Sequence, residues 1–377
     1  MILHLFIDEK FIDYAITQFD KVAPSQNDFV VIIPSQDSKV KHIQQVDRVR
    51  LVVDSDENVR KLMSNLYQYD AIIFHSLFPL FSLKILYFAD PSRIKLTWFF
   101  WGGEFYDHPL FINNYLGELS LKYFKKPIKY ILNIGKKAVK RIIGREKYSI
   151  VKNSSKITHI VAYPEEYAAI QKQWSGHAKV MHYTYYSIEK MVGSLMNEYA
   201  AGNNIFIGNS ASVTNNHLEV FERLKKIDLE GRKIIVPLSY GCAKYGKYIA
   251  ERGQKIWDND LIPLMTFMQR DEYNRCILDC SIVIMNHYRQ QAIGNLVTSL
   301  WLGAKLFMSE RNPMYKYFKK SGLIVFAVEN DLCSENPNVF KPLTLEEKNT
   351  NREIILNHYS ETKTLEYADL LVKELSN

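Results

Sequence analysis

Four stretches in the second half of the chain end apolar runs with residues able to hold an anion and hydroxyl groups. In the first, Ile205-Phe206-Ile207 leads into Gly208-Asn209-Ser210, and Thr214 or Asn215 is expected to cap the helix that carries His217. Gly208 permits a tight turn and close backbone approach, while a helix N-terminus aims N–H groups and positive dipole at an anion. A diphosphate suits such a site. The pattern is neither GxGxxG nor a P-loop, which argues against a dinucleotide or a nucleoside triphosphate. In the second stretch, Ile235-Val236-Pro237-Leu238-Ser239 places Tyr240 and Gly241 where a base or sugar can lie. In the third, Ile284-Met285-Asn286-His287-Tyr288 is followed by Arg289, whose planar fork can offset phosphate charge. Gln290, Gln291 and Asn295 supply amides for hydroxyls or a pyrimidine edge. Gly294, at the start of a helix, costs about 1 kcal/mol against alanine, which points to close approach by a ligand or backbone. In the fourth, Glu310 follows the run Lys305–Met308 and can accept bonds from ribose hydroxyls.

Strand-like runs must position these residues. They are expected at Ile2–Ile7, Phe29–Pro34, Arg50–Val53, Ala71–His75, Leu96–Trp101, Ile157–Ala162 and Lys179–Tyr183. In the second half they are expected at Asn204–Ile207, Lys233–Leu238, Leu261–Phe267, Ser281–Met285, Lys305–Met308 and Leu323–Ala327. Continuous apolar runs alternating with helix-length stretches imply parallel sheets buried on both faces. Two such series, joined near Val192–Gly202, predict an α/β chain of two doubly wound, Rossmann-like domains facing a cleft. The first is expected over 1–192, the second over 193–350, and a helix over 351–377 packing back on the first. Composition agrees: 377 residues, 47% hydrophobic and 24% charged, exclude a disordered chain, a fibre or a coiled coil. Mean hydropathy is −0.19 and no apolar run reaches membrane-spanning length. The segment Met1–Asp8 has no basic start and reads as a first core strand, not a signal peptide. Four cysteines (Cys242, Cys276, Cys280 and Cys333) make neither a disulfide framework nor a zinc set, so a reducing compartment is expected.

The series Gly-Asn-Ser…Thr-Asn-Asn-His-Leu-Glu, Val-Pro-Leu-Ser-Tyr-Gly, Arg-Gln-Gln-Ala-Ile-Gly and Glu-Arg-Asn-Pro resembles the 4-acetamido-4,6-dideoxygalactose transferases of enterobacterial common antigen synthesis, glycosyltransferase family 56. The likeness covers about residues 203–327, in the same order and at similar spacing. In the first half, His75 and Trp101-Gly102-Gly103-Glu104 look like the family's His and Trp-Gly-acid segments. Ala211 and Ser212 stand where the family has a Gly-Asp pair, and Asn295 replaces a small hydroxyl residue. The resemblance implies a GT-B fold, a second-domain site for the sugar donor, and transfer from a dTDP-amino-dideoxy sugar to an undecaprenyl-diphosphate-linked saccharide. Such a transfer needs a base or an acceptor-orienting group. His75, Glu104 and Asp107 are the candidates, with Glu104 preferred as base or acceptor-positioning acid and expected to open into the cleft after the turn at Gly102-Gly103. No DxD-like acidic pair stands at a second-domain strand end, so neither metal nor cofactor is expected. A UDP- or GDP-sugar transferase of capsule or O-antigen assembly is the alternative, followed by a non-catalytic nucleotide-sugar-binding protein.

Charge is concentrated in one place. Residues 121–156 hold twelve cations and one acid, +11 against a chain total of +7, so the remainder carries −4. Within this stripe Lys129, Lys136, Lys137, Lys140, Arg141 and Arg145 lie opposite an apolar helical face, the pattern of a segment lying on an anionic membrane. No aromatic stacking platform accompanies it, so nucleic acid is not expected. The expected place is the cytoplasmic face of a bacterial inner membrane, held peripherally.

Overall fold

The computed structural model describes residues 1–125, 146–174 and 176–376. The six stripe residues from Lys129 to Arg145 lie outside the described residues. Each expected strand has a counterpart: β1 (Ile2–Ile7), β2 (Asn27–Ile33), β3 (Arg50–Val53), β4 (Ala71–Phe74), β5 (Lys95–Phe99), β6 (His159–Val161), β7 (Lys179–Met181), β8 (Asn204–Ile207), β9 (Ile234–Pro237), β10 (Leu261–Leu264), β11 (Cys280–Met285), β12 (Lys305–Met308) and β13 (Phe326–Ala327). They form two sheets, ordered β3-β2-β1-β4-β5-β6-β7 and β10-β9-β8-β11-β12-β13. Neighbouring strands in both are parallel. All six residues of β11 and all four of β4 are buried, as strands covered by helices on both faces must be. One expected run, Leu261–Phe267, stops short where its tail faces water. Beyond β10, Met265 and Phe267 are 45% and 73% exposed.

The described residues of Met1–His108, Ile128–Tyr186 and Glu361–Asn377 form one unit, and those of Pro109–Pro127 and Ser187–Ser360 form the other. The second unit takes up at Ser187, whose hydroxyl accepts the Lys190 N–H at 3.4 Å and so caps helix Ile188–Val192. The expected final helix is two. Leu345–Tyr359 opens with a capping box between Thr344 and Glu347, and Ser360 then turns extended before Glu361–Ser376 begins. The last helix packs on helix Ile12–Val22, sinking Ala368, Leu371 and Leu375 among Ile16, Phe19 and Ile73 in the first core. In the second core, Ile205 and Ile207 of β8 and Ile282 and Ile284 of β11 pack with Phe221 and Ile249.

In each sheet the strand order reverses beside the first strand of the unit, between β1 and β4 and between β8 and β11. Loops leaving such a pair diverge and open a crevice at the carboxyl ends, where open α/β sheets bind ligands. Gly208 follows β8 directly, and Asn286-His287 follow β11. His75 follows β4.

Candidate functional site

In the second unit, Gly208 has φ +71, a left-handed value that suits glycine. A Cβ there would lie 2.7 Å from both Asn215 Oδ1 and His217 Nε2, so no larger residue fits. The turn brings Asn215 back beneath Asn209, whose backbone N–H donates to Asn215 Oδ1 at 2.9 Å. His287 Nε2 lies 2.9 Å from the same oxygen and 3.1 Å from Asn209 Oδ1. Gln291 Nε2 donates to Asn209 Oδ1 at 3.1 Å, and Gln291 Oε1 accepts from the Thr214 hydroxyl at 2.7 Å. Asn215 Nδ2 donates to Ser210 Oγ at 3.2 Å and Ser212 O at 3.1 Å. The result is a web of side chains that fixes one backbone turn between two strand ends.

Two buried imidazoles complete it. Facing two amide oxygens, His287 Nε2 carries the proton. Burial, and then the neighbouring Arg289 guanidinium and His217, push its pKa down to about 3, so the ring is neutral. His287 Nδ1 is buried without a hydrogen-bond partner, as is His217 Nε2. His217 lies under the Gly208 turn with Nδ1 3.2 Å from the Tyr245 hydroxyl, and burial lowers it too to about 3. The positive charge beside the web therefore comes from Arg289, which is buried and donates to Gln290 O at 3.2 Å.

The helix begins one residue later than expected. Residues Val213–Asn215 make a short 3₁₀ turn, and Asn216, left-handed at φ 50, precedes helix His217–Leu224. Asn216 spends its amide elsewhere: Oδ1 accepts from Gly117 N at 2.8 Å and Nδ2 donates to Asn286 O at 3.0 Å, tying the β8 and β11 loops together.

The loop after β9 is held by a short parallel bridge. Ala211 N donates to Tyr240 O at 2.6 Å, and Ala211 O accepts from Cys242 N at 2.9 Å. Gly241, at φ +109, passes so close that a Cβ would sit 2.8 Å from Ala211 O. Tyr240 is thereby fixed in its backbone while its side chain stays 77% exposed.

Other expected residues stand apart from the web. Asn295 Nδ2 donates to the Tyr273 hydroxyl at 2.7 Å. Glu310 is exposed and its carboxylate accepts from Asn330 Nδ2 at 2.8 Å. Gln290 is half-buried beside Arg289. Apart from its chain neighbours and its own helix backbone, nothing in the protein lies within 4 Å of a Cβ built on Gly294, so of the two approaches expected there, ligand or backbone, the backbone one is absent.

In the first unit, the pleat places His4 and Phe6 of β1 on one face with His75 after β4. His75 is fully buried, stacked on Phe6 with ring centroids 3.8 Å apart. Its Nε2 is 3.0 Å from His4 Nδ1 and its Nδ1 2.7 Å from the Tyr185 hydroxyl, so it is not an exposed base. Glu104 turns inward, contrary to expectation. It is 9% exposed, and Oε1 accepts from Trp98 Nε1 at 2.9 Å. The cause is the indole N–H of the buried Trp98, which needs an acceptor. Asp107, at the end of helix Gly103–Tyr106, is exposed.

Sequence reasoning passed over His287, His4 and Tyr185. His287 carried a usable signal, standing directly after a buried strand amid polar residues. The partners of His4 and Tyr185 are 71 and 110 residues away in sequence, and no local pattern marks them.

The model of a family described as 4-alpha-L-fucosyltransferase, glycosyl transferase group 56, matches residues 148–341, just over half the chain. Similar solved structures span the whole chain. HepE of Anabaena, in complex with UDP and glucose, is 11% identical at a TM-score of 0.62, covering 100% of this chain and 99% of that one. Sucrose-phosphate synthase of Thermosynechococcus elongatus is 9% identical at 0.63, with coverage of 100% and 98%. A glycosyltransferase of Rickettsia africae is 12% identical at 0.62, again covering 100% and 98%. At such identities the likeness concerns the fold, which is GT-B.

Proposed function

The chain belongs to the group 56 glycosyl transferases, and from that premise we propose that it moves an amino-dideoxy sugar from a dTDP-sugar to an undecaprenyl-diphosphate-linked saccharide. It is a glycosyltransferase that uses a nucleotide sugar. The observation that carries the reading is the web of Asn209, Asn215, His287 and Gln291 around Gly208, set where the second sheet reverses its strand order. The turn spends the Gly208, Asn209 and Ala211 N–H groups within the protein, so what it offers a diphosphate is the Ser210 N–H and hydroxyl, with Arg289 as the cation beside it. In the reaction, the acceptor hydroxyl oxygen bonds to the anomeric carbon. The bond from that carbon to the diphosphate breaks, and its electron pair leaves on the nucleoside diphosphate. Arg289 and the turn stabilise that growing charge. The hydroxyl proton passes to a general base, for which exposed Asp107 is preferred over inward-turned Glu104. Tyr240 and Gly241 border the base, and Gln290, Asn295 and Glu310 are reserved for sugar hydroxyls. A UDP-sugar is the second reading, favoured by the UDP that HepE binds.

The stripe residues Lys136, Lys137, Lys140 and Arg141 would hold the enzyme on the anionic inner-membrane surface, each cation contributing about 1 kcal/mol. Neutralising these four is expected to abolish sedimentation with anionic liposomes, and unaltered sedimentation would refute the docking. A thermal-shift panel of dTDP, UDP and GDP tests the sugar-donor reading. The largest shift is expected from dTDP, and no shift from any of the three would refute it.

A further inference from the structure

The first unit contains a hydrogen-bonded chain whose direction is fixed at one end. Asn27 Nδ2 donates to Phe19 O at 3.2 Å and to Ala23 O at 2.9 Å. Its Oδ1 is therefore the atom facing His4 Nε2 at 3.0 Å, and His4 Nε2 must carry a proton to donate to it. Burial drives His4 down to about 3, so this imidazole is neutral and its Nδ1 is a bare lone pair. That lone pair faces His75 Nε2 at 3.0 Å, so His75 Nε2 carries a proton as well. Burial, and then His4, hold His75 well below the usual range, and its own Nδ1 is bare in turn. It accepts the Tyr185 hydroxyl hydrogen at 2.7 Å. Each link determines the next.

Tyr185 is the end of the chain nearer the surface, its hydroxyl turned in towards His75 and held protonated by burial, which raises its pKa well above the ordinary range. His4 and His75 are fully buried, whereas Tyr185 and its neighbours Trp101 and Phe11 are half-buried. Trp101 Nε1 donates to the Tyr185 oxygen at 3.3 Å. With its hydrogen committed inward and one lone pair taken by Trp101, that oxygen keeps a second lone pair and no proton to give. Phe11, stacked at 5.2 Å on Tyr185 and edge-on at 5.4 Å to Trp101, adds apolar surface of the kind that packs against a sugar ring.

Resting on the glycosyltransferase reading above, we propose that Tyr185 is an acceptor-saccharide anchor that accepts a hydrogen bond from a sugar hydroxyl. Asn27, His4 and His75 are its positioning residues. A chain built this way rejects a ligand that offers only an acceptor atom and holds a hydroxyl by its hydrogen, leaving the hydroxyl oxygen's lone pairs free.

Two measurements on the full-length protein test this. Long-range ¹H–¹⁵N spectra with ¹⁵N-histidine read the tautomers of the wild type directly. His4 and His75 are both expected in the Nε2–H form, and a Nδ1–H His75 would overturn the proposal. Calorimetry with a farnesyl-diphosphate-linked disaccharide, with dTDP present, reads the anchor. Tyr185→Phe is expected to weaken binding roughly tenfold, the loss of one hydrogen bond. His4→Phe should weaken it similarly although His4 is fully buried, and the double variant should bind no more weakly than Tyr185→Phe. Unchanged binding in Tyr185→Phe, additive losses in the double variant, or no binding by the wild type would each overturn the proposal. The spectra still decide if His4→Phe does not fold. Failure of the sugar-donor reading would register separately, as no response to dTDP, UDP or GDP.

Discussion

Each sheet places buried, neutral histidines where its strand order reverses, yet the two constructions differ. In the first, the bonds run in single file from Asn27 through His4 and His75 to Tyr185, and what they fix is the direction of one hydroxyl. In the second, His287 donates to two amide oxygens at once, and the bonds branch through Asn209, Asn215 and Gln291 around a glycine turn. What they fix is a stretch of backbone. A single-file chain specifies one polar atom, while a branched web specifies the course of a backbone turn. The first suits a hydroxyl and the second a diphosphate.

Gly208→Ala attacks the second construction hardest. The new Cβ meets two polar atoms at 2.7 Å in a left-handed backbone, so calorimetry should find nucleotide binding weakened beyond 100-fold. Acid should strain both units. His287 and His217 are held near 3 against an ordinary 6.5, so the unfolded chain binds more protons between those values. Stability is then full above pH 6.5 and falls as pH drops below it, by about 1.4 kcal/mol per pH unit for each histidine. His4 and His75 add the same sensitivity to the first unit, and His108 and His159, also lowered by burial, steepen it there. Hydrogen exchange at pH 7 and pH 5 should show both sheets loosening, β1 and β4 more than β8 and β11.

A smaller effect separates the two directly. His287→Leu strips a proton donor from two buried amide oxygens, at a cost of about 2 kcal/mol, and should weaken nucleotide binding. His75→Leu should cost about as much in urea unfolding while leaving nucleotide affinity unaltered. Smallest is Gly294→Ala. The space around it is open, so stability should hold or rise by up to about 1 kcal/mol. A fall in nucleotide affinity in this variant would place the ligand in that space.

The strands were legible because buried parallel strands are continuous apolar runs. Ile2–Ile7, Arg50–Val53, Asn204–Ile207 and Lys305–Met308 are found with the bounds expected. Gly208 was legible as a turn residue, and its positive φ supplies the reason, whereas Gly241 was read only as bordering a base or sugar. The inward rotation of Glu104 was not, because it answers the need of a tryptophan N–H rather than any pattern around Glu104. His4 was read as part of an apolar strand, since its partners Asn27 and His75 meet it only through sheet pairing. The left-handed Asn216 was overlooked because its amide serves two loops, 70 and about 100 residues away in sequence, rather than its own helix.

The nucleotide is expected to bind at the branched web and not at the single-file chain. Hydrogen exchange with and without saturating dTDP measures this directly. New protection is expected in residues 208–216, 238–242 and 286–292, with 75–76, 101–108 and 183–186 unchanged. Protection gained in the second set and absent from the first would contradict it.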